Sequence, residues 1–590
     1  MNKALDWAGR HCRWIVFAAW LLFSAWMIYS SWTRIYLFGL GDTDDNMRMA
    51  QVRAWLAGQD WYDLRQYKLD PPYGANIHWS RLVDLPIAAL VTLGKLFVTG
   101  PNAERFAIAV APLLPYLLLA TASAQITRRL IAPAAFLLVL PTLWFAGSVN
   151  GMFMPTRLDH HGWQLTLLAT AMLGLADPRR ARGGLIAGLA TALSLAIGLE
   201  MLIYLALAGV AQVLMWVDDR DQRRRLGAYA IALAGGTAFS FLVFASYANR
   251  APVCDALSPV WLSDALLGGA LLVVLAWLSP ADWRKRLGLA ALAGVAVAAF
   301  HALAWPQCLS RLEGVSPEVA RLWLNNVREA KPIYEHDWRV VIDGLSFPLI
   351  GLAGWALLLW RSRGERDLFR RILAVAAPAL AAFALLFWQT RASPAAELLA
   401  VPGAVALIWI VLPLTLNARN SVVTVLGSAA VVLVGLGAAV PLAFVIDPPE
   451  RPNAARMAVN RANRLCPSLP AMRPVALQPK GTVFTFVDLA PRLIVVTHHN
   501  SIAGPYHRNG DAILDVMKAF RGSAEQARAI IDRRRADYVL ICPNMSQATI
   551  FMAAAPRGFY AQLQRGQVPG WLQPVDLGRS SPLRMWRVVR

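Results

Sequence analysis

The sequence predicts a mostly α-helical membrane protein, with a polytopic bundle of about thirteen spans followed by a small soluble α/β domain. Three observations predict this fold class. The 590 residues are 57% hydrophobic and only 16% charged, whereas a soluble protein of this length needs a more polar surface. The apolar residues fall in long uncharged runs, as membrane spans require. Basic residues cluster in the short segments between those runs.

The first predicted span covers residues 14–38. It is long enough to cross a bilayer and has no clear small-x-small cleavage site, so we expect an uncleaved span. The apolar stretch 82–98 is shorter than the roughly 20 residues that a span needs, so we expect a helix along the interface. The other expected spans lie near residues 106–126, 131–148, 164–176, 184–217 (two spans), 227–247, 261–279, 287–304, 345–360, 372–388, 395–416 and 421–446.

The net charge of +21 comes from basic residues that cluster between the predicted spans. With residues 82–98 at the interface, these clusters all fall on one side of the membrane, which the positive-inside rule identifies as cytoplasmic. The clusters lie at residues 128–129, 179–182, 223–225, 284–286 and 361–371. Nucleic acid is not an expected partner, because no basic amphipathic face accompanies the charge.

The outer side then receives the remaining loops and the C-terminal tail. These segments are residues 39–105, 149–163, 248–260, 305–344, 389–394 and 447–590. We therefore predict a multi-pass protein of the cell (inner) membrane, with membrane lipid as a partner. Its transmembrane domain is expected to cover residues 1–446, and residues 447–590 are expected to form an extracytoplasmic domain.

The tail alternates short β-type and helical patterns, which predicts a small α/β domain. Residues rich in Val, Ile, Phe and Thr predict strands over 482–487, 493–497, 537–542 and 586–589. A helix is expected over 523–535, with Ser523 as its cap. In an oxidising compartment, the outer cysteines could form two disulfides, or they could remain four free thiols. The sequence leaves the pairing open among Cys254, Cys308, Cys466 and Cys542.

Carboxylates and imidazoles cluster in the first two outer loops. The segment 42–46 holds three aspartates, which repel one another unless a cation or a basic partner is present. Asp159, His160 and His161 lie in the second outer loop. Oxygen and imidazole ligands suit Mg²⁺ or Mn²⁺, which neutralise phosphate, although each cluster alone also fits a polar loop. The predicted metal ligands are Asp45, Asp159, His160 and His161.

Taken together, the outer segments resemble the catalytic subunit of oligosaccharyltransferase, a GT-C glycosyltransferase. The resemblance covers the order and sidedness of four motifs. Asp44 or Asp45 matches an aspartate just after the first span, and the segment 159–161 matches the Asp-His-His motif of the second outer loop. Glu329 stands where the family has a short motif ending in Glu in the fifth outer loop. Arg391 matches an arginine near the outer end of the eleventh span.

The resemblance implies an enzyme that transfers a sugar or oligosaccharide from a polyprenyl-phosphate or polyprenyl-diphosphate carrier at the outer membrane face. It implies Asp44, Asp45 and Glu329 as catalytic residues that orient and activate the acceptor, assisted by Mg²⁺ or Mn²⁺. It also implies that Arg391 binds the donor phosphate, where an arginine makes bidentate hydrogen bonds.

The sequence departs from this family in the tail. The WWDYG motif, which reads the hydroxyl residue of an Asn-x-Ser/Thr acceptor, is absent, and its nearest counterpart is the segment 486–490. The acceptor therefore stays unidentified, and the candidates for acceptor binding are Asp488, His498, His499, Tyr506, His507 and Arg508.

Two alternatives remain open. One is a GT-C monosaccharide transferase that acts on a lipid or polysaccharide. The other is a transporter or flippase of lipid-linked glycans. Transporters place ionisable groups at mid-membrane depth, whereas the predicted spans are nearly free of charge.

Overall fold

A computed structural model describes residues 2–310, 313–448 and 451–590. In those residues, eight helices are long and apolar enough to cross a membrane, judged by length and composition, and a helix pair bent by 101° is a ninth candidate. The long helices are Cys12–Ser30, Gly100–Leu130, Arg220–Phe244, Pro259–Leu278, Trp283–Ala304, Trp338–Ser362, Arg366–Leu385 and Thr390–Leu416, and the bent pair is Val423–Gly435 and Ala439–Ile446. The predicted helical multi-pass architecture is confirmed.

Four shorter apolar helices fill the remaining predicted positions. They are Ala135–Phe145, His161–Leu175, Arg180–Ile197 and Leu202–Asp218. The predicted count of about thirteen spans therefore requires these four helices to cross together with the eight long helices and the bent pair. The apolar stretch after the first outer loop forms the helix Arg81–Gly94, which begins at Ser80 as its N-cap.

Close backbone contact holds two of the central helices together. Arg180–Ile197 packs along Arg223–Phe244, and a Cβ atom added to Gly184 would lie 2.0 Å from the carbonyl oxygen of Arg225. Only glycine permits this approach, which fixes the two helices side by side. Because a single helix, Leu202–Asp218, connects them, both begin at the same end of the bundle.

The first outer loop begins with the helix Thr43–Leu56, whose N-cap is Asp42. The Asp42 carboxylate accepts from the backbone N–H groups of Asp44 at 2.9 Å and Asp45 at 3.1 Å. In return, Asp45 accepts from the N–H of Asp42 at 2.9 Å, which completes a capping box. The loop continues as the antiparallel strand pair Arg65–Gln66 and Ala75–Asn76.

The tail contains a five-stranded mixed sheet. In spatial order its strands are Asn500–Ser501, Thr482–Phe484, Tyr538–Ile541, Arg584–Val588 and Leu572–Val575. The first three strands run parallel to one another. The fourth strand, Arg584–Val588, is antiparallel to both of its neighbours. The tail helices are Ala454–Leu465, Leu469–Ala476, Ala490–Val496, Gly510–Arg521, Ala524–Arg533, Ser546–Ala554 and Phe559–Gln564. The predicted α/β character is confirmed, and Ser523 caps its helix as expected.

The predicted strand over residues 493–497 is wrong, because these residues belong to the helix Ala490–Val496. A short apolar run does not by itself distinguish a buried strand from a buried helix. Here Pro491 lies in the first turn of the helix, and the helix packs against the first outer loop. Arg53 donates to the carbonyl of Val495 at 2.5 Å, and Lys68 donates to that of Ile494 at 3.0 Å. These bonds dock the tail on the loop that carries the acidic cluster.

Two disulfides pair the four outer cysteines. Cys254 bonds to Cys308, and Cys466 bonds to Cys542. The first joins two outer loops and the second lies within the tail, whereas Cys12 is a buried free thiol. Both disulfides fall in segments that the charge pattern assigns to the outer side.

Candidate active site

Asp45 connects the first two outer loops. Its Oδ1 accepts from the backbone N–H of Leu158 at 2.6 Å and of Asp159 at 3.0 Å. Its Oδ2 accepts from the N–H of Asp42 at 2.9 Å and from the Arg157 guanidinium at 3.2 Å. The carboxylate is fully buried, and both of its oxygens are occupied by protein donors. Asp45 therefore fixes the second outer loop against the start of the first loop's helix.

Asp159 lies between two imidazoles. Its Oδ2 contacts Nδ1 of His161, and its Oδ1 accepts from the backbone N–H of His160 at 2.6 Å. His160 Nε2 lies 2.9 Å from Oε1 of Glu200, and Glu200 accepts from Gln164 at 2.9 Å. Burial alone would raise the pKa of Asp159, but the two imidazoles hold that pKa well below its usual range. Conversely, burial would lower the pKa of His160, yet the flanking carboxylates raise it to about 10.

The ligand atoms of this group fit a divalent cation. The candidate atoms of Asp159, His160 and His161 all lie within 4.8 Å of one another. The Nδ1 of His161 faces the Asp159 carboxylate, so these two groups bring their ligand atoms together. In the described residues, the Nε2 of His161 contacts no hydrogen-bond partner.

Asp44 lies beside this group and borders a cavity. In the described parts of the chain, its carboxylate accepts no hydrogen bond, in contrast to that of Asp45. Burial, together with the charges of Asp159 and Asp42, raises the pKa of Asp44 to about 8, while the two imidazoles oppose the shift. A half-buried carboxylate without protein donors in the described residues, next to two imidazoles, is a strong candidate for a cation ligand.

The cavity has a volume of about 370 Å³ and joins the first outer loop, the outer loop 305–344 and the tail. It is lined by Thr43, Asp44, Glu313, Trp323, Leu324, Asn326, Val327, Glu329, Arg391, Asp488, Pro505, His507, Met517, Gln547 and Ile550. Arg391 lies 3.5 Å from the carboxylate of Glu329. Five residues predicted from the sequence thus line one cavity: Asp44, Glu329, Arg391, Asp488 and His507.

The other predicted acceptor residues lie in two different places. Tyr506 is buried and donates to the carbonyl of Thr43 at 3.0 Å, beside the acidic cluster. His498 contacts the carbonyl of Gln478 at 2.9 Å, and His499 contacts that of Val475 at 2.9 Å. These two imidazoles bind the backbone of the tail itself and are not among the residues that line the cavity.

A second group of imidazoles and a carboxylate ties the tail to the membrane portion. His507 lies 2.5 Å from Asp255, and Arg508 donates to both Asp255 oxygens at 2.7 and 2.6 Å. The ring centre of His78 lies 4.5 Å from that of His507. Although these groups have cation-ligand spacing, the guanidinium already compensates the Asp255 charge. Asp255 follows the disulfide-bonded Cys254 directly, so its loop is covalently fixed.

Sequence analysis did not assign a site role to Arg157, Glu200 or Asp255. Arg157 lies two residues before Asp159, and Glu200 is a single charge between two apolar runs. These positions are the sequence features that could have indicated a site role for Arg157 and Glu200. Their partners are distant in the sequence, so their roles emerge only in the folded chain.

Asp488 provides a test of the cavity's electrostatics. Burial raises the pKa of Asp488 to about 6, whereas an unfolded Asp titrates near pH 4. Between these values the folded chain keeps a proton that the unfolded chain has lost, so this group lowers stability as the pH rises from about 4 to about 6. Asp488→Asn is therefore expected to increase the free energy of unfolding by roughly 1–3 kcal/mol at about pH 7 and to have no effect below about pH 4. Thermal unfolding at both pH values checks this, and an equal gain at both would contradict it.

Comparison with solved structures identifies the fold. The archaeal oligosaccharyltransferase AglB from Archaeoglobus fulgidus, in complex with an inhibitory peptide and a dolichol-phosphate, aligns with a TM-score of 0.66 and 15% identity over 92% of this chain and 72% of that one. The same enzyme tethered to an acceptor peptide containing the NVT sequon aligns with a TM-score of 0.67 and 15% identity over 97% of this chain and 74% of that one. The complex of that enzyme with Zn and sulfate aligns with a TM-score of 0.58 and 16% identity over 93% of this chain and 70% of that one.

The chain therefore has the GT-C fold of a multi-pass membrane protein, as predicted. No protein-family model matches the sequence, and no curated protein sequence matches it either. Because the identity to AglB is low, the similarity is one of fold.

Proposed function

We propose that this protein is an integral membrane glycosyltransferase that transfers a sugar or oligosaccharide from a polyprenyl-(di)phosphate carrier to an acceptor at the outer membrane face. The observation that carries the proposal is the position of Asp44, which borders both the Asp159–His161 cluster and a cavity that holds Glu329 and Arg391. Glycosyl transfer from a phosphate requires stabilisation of the leaving phosphate and a base for the acceptor. The metal-ion cluster and Arg391 would supply the first, and the carboxylates of the cavity would supply the second.

We assign the cation to Asp44, Asp159 and His161. Asp45, which the sequence also suggests as a ligand, accepts from three backbone N–H groups as well as from Arg157, so we assign it to positioning. His160 is held between Asp159 and Glu200 and supports the cluster in the same way. The imidazole favours Mn²⁺ over Mg²⁺, which takes oxygen ligands. When bound, the cation would neutralise charge on the leaving phosphate.

The side chains that line the cavity would bind the donor phosphate, accept the proton of the acceptor and contact the acceptor. Arg391 binds the donor phosphate through its guanidinium, with Glu329 holding it at the cavity wall. Glu329, which is exposed to the cavity, accepts the proton of the acceptor hydroxyl or amide. Asp488 and His507 face the same space from the tail and contact the acceptor. AglB binds peptides in the structures above, but the tail here lacks WWDYG, so the class of acceptor remains to be measured.

Two features support an outer location for this site. The arginine clusters lie at the other end of the same helices, where the positive-inside rule predicts the cytoplasm. The two disulfides lie at the end that carries the site, and disulfides are typical of an oxidising compartment. We therefore propose the cell (inner) membrane, with the tail outside.

Replacing Arg391 tests the donor assignment. In a transfer assay with purified full-length protein and polyprenyl-linked sugars, we expect Arg391→Ala to raise the KM for the donor about 10- to 100-fold, since a hydrogen-bonded charge pair contributes roughly 1.5–3 kcal/mol. Arg339→Ala is the matched control, because Arg339 is a partly exposed arginine that pairs with Asp447 outside the cavity. An unchanged donor KM in Arg391→Ala, or an equal rise in the control, would remove the assigned role.

A further inference from the structure

A cavity lined by arginines lies at the end of the bundle opposite the acidic cluster. The helix His161–Leu175 runs from that cluster to this end, and Arg180–Ile197 runs back toward Glu200. The cavity has a volume of about 680 Å³. We call it the arginine pocket, after the residues Arg179, Arg180, Arg182, Arg223 and Arg224 that line it.

The acids at this pocket do not balance its arginines. Only Asp221 and Asp367 share the lining, and each already contacts an arginine, at 3.3 Å and 3.0 Å. In the parts of the chain that the structure describes, no carboxylate pairs with Arg179, Arg223 or Arg224. Three cationic side chains therefore face one cavity without a counter-charge, which favours an anionic ligand.

The backbone adds to this positive potential. The helices Arg180–Ile197, Arg223–Phe244 and Arg366–Leu385 all begin at the arginine pocket. Their first N–H groups lack intrahelical acceptors, and their dipoles are positive at this end. The wall is rigid, because the buried Arg225 donates to the carbonyl of Gly174 at 2.7 Å. Phosphate is the anion that such helix ends and guanidinium groups bind well.

The surroundings indicate that the phosphate belongs to a lipid. Arg182, Leu185 and Leu189 occupy positions i, i+3 and i+7 of one helix, so they lie along one face. Leu185 and Leu189 are 47% and 43% exposed, which leaves an apolar strip directly beside the guanidinium of Arg182. The pocket lies where apolar helices end, at the depth of lipid headgroups. Among the residues that the structure describes, no aromatic side chain lines it that could stack on a nucleotide base.

We propose that the arginine pocket binds the phosphate of an anionic phospholipid, with an acyl chain along Leu185 and Leu189. The pocket is separate from the transfer site and does not depend on the proposed function. Basic pockets between membrane helices are suited to such headgroups, and each basic residue adds about 1 kcal/mol to the attraction.

Native mass spectrometry of the delipidated full chain tests the proposal. Phosphatidylglycerol, phosphatidylethanolamine and inorganic phosphate are titrated separately into wild type, R223Q/R224Q and R179Q. The control is R284Q/K285Q, which removes two exposed charges at the same end of the bundle but outside the pocket. We expect R223Q/R224Q to weaken phosphatidylglycerol binding about 30-fold, R179Q to weaken it about fivefold, and the control to change it less than twofold.

Three outcomes would overturn the proposal. Wild-type affinity in both pocket variants would exclude the pocket. An equal loss in R284Q/K285Q would mean a nonspecific charge effect. Displacement of phosphatidylglycerol by inorganic phosphate at equal concentration would indicate a free-anion site rather than a lipid site. Thermal unfolding of each variant without lipid verifies folding, which we expect to be unaffected because the replaced side chains are exposed and unpaired in the described structure.

Discussion

Asp44→Asn is expected to lower the rate of sugar transfer about a thousandfold while leaving the protein at least as stable as wild type. The loss follows from removing a carboxylate that faces both the cation cluster and the cavity, where charge or proton transfer contributes about 10²- to 10⁴-fold. Stability is preserved because the Asp44 carboxylate accepts no hydrogen bond from the described residues. Burial of its charge is costly, as its raised pKa of about 8 indicates.

The neighbouring substitution, Asp45→Asn, is the matched comparison, and we expect it to lower the free energy of unfolding. An amide in place of the Asp45 carboxylate would direct an NH₂ group at backbone N–H groups or at Arg157, leaving donors facing donors. Breaking such a buried charged network is expected to cost about 3–5 kcal/mol of the free energy of unfolding. Thermal unfolding in detergent and transfer assays on both variants check the pair. A stable, inactive Asp45→Asn together with an active Asp44→Asn would contradict the assignment.

His161→Ala is expected to weaken Mn²⁺ binding at least 100-fold. Loss of a group that only orients a ligand typically lowers metal affinity 10- to 100-fold, so loss of a ligand itself should have a larger effect. Equilibrium dialysis, followed by electron paramagnetic resonance of free Mn²⁺, measures the affinity without requiring the donor or acceptor to be known.

His498→Ala is the control for that measurement. His498 is an exposed histidine that contacts the carbonyl of Gln478 within the tail, so its removal should leave Mn²⁺ affinity unchanged. If the two variants bound Mn²⁺ equally, whether both strongly or both weakly, the assignment of His161 would be wrong. His161→Ala should also reduce transfer activity, but the binding result stands by itself.

Much of the fold could be predicted from the sequence. Long apolar runs and arginine clusters are one-dimensional signals, and they located the spans and the two ends of the bundle. The helix that replaces the predicted strand at residues 493–497 could not be assigned in this way. Its conformation depends on docking against Arg53 and Lys68, which lie more than 400 positions earlier in the chain.

The candidate site was predicted in outline but not in detail. Three aspartates in the segment 42–46 indicated a cation or a basic partner, and the folded chain supplies a basic partner, Arg157. The sequence did not distinguish Asp44 from Asp45. That distinction comes from the capping box. Asp45, at the third helical position, turns back to the N-cap and the second loop, whereas Asp44, at the second position, faces the cavity. Glu200 and Asp255 depend on contacts with His160 and Arg508, which no local pattern encodes.

X-ray diffraction at the manganese absorption edge, from crystals of the full chain grown with Mn²⁺, tests the central claim most directly. The account predicts one anomalous peak enclosed by Asp44, Asp159 and His161, at the edge of the cavity that contains Arg391. No anomalous peak at that position, or a peak only between His78, Asp255 and His507, would contradict it.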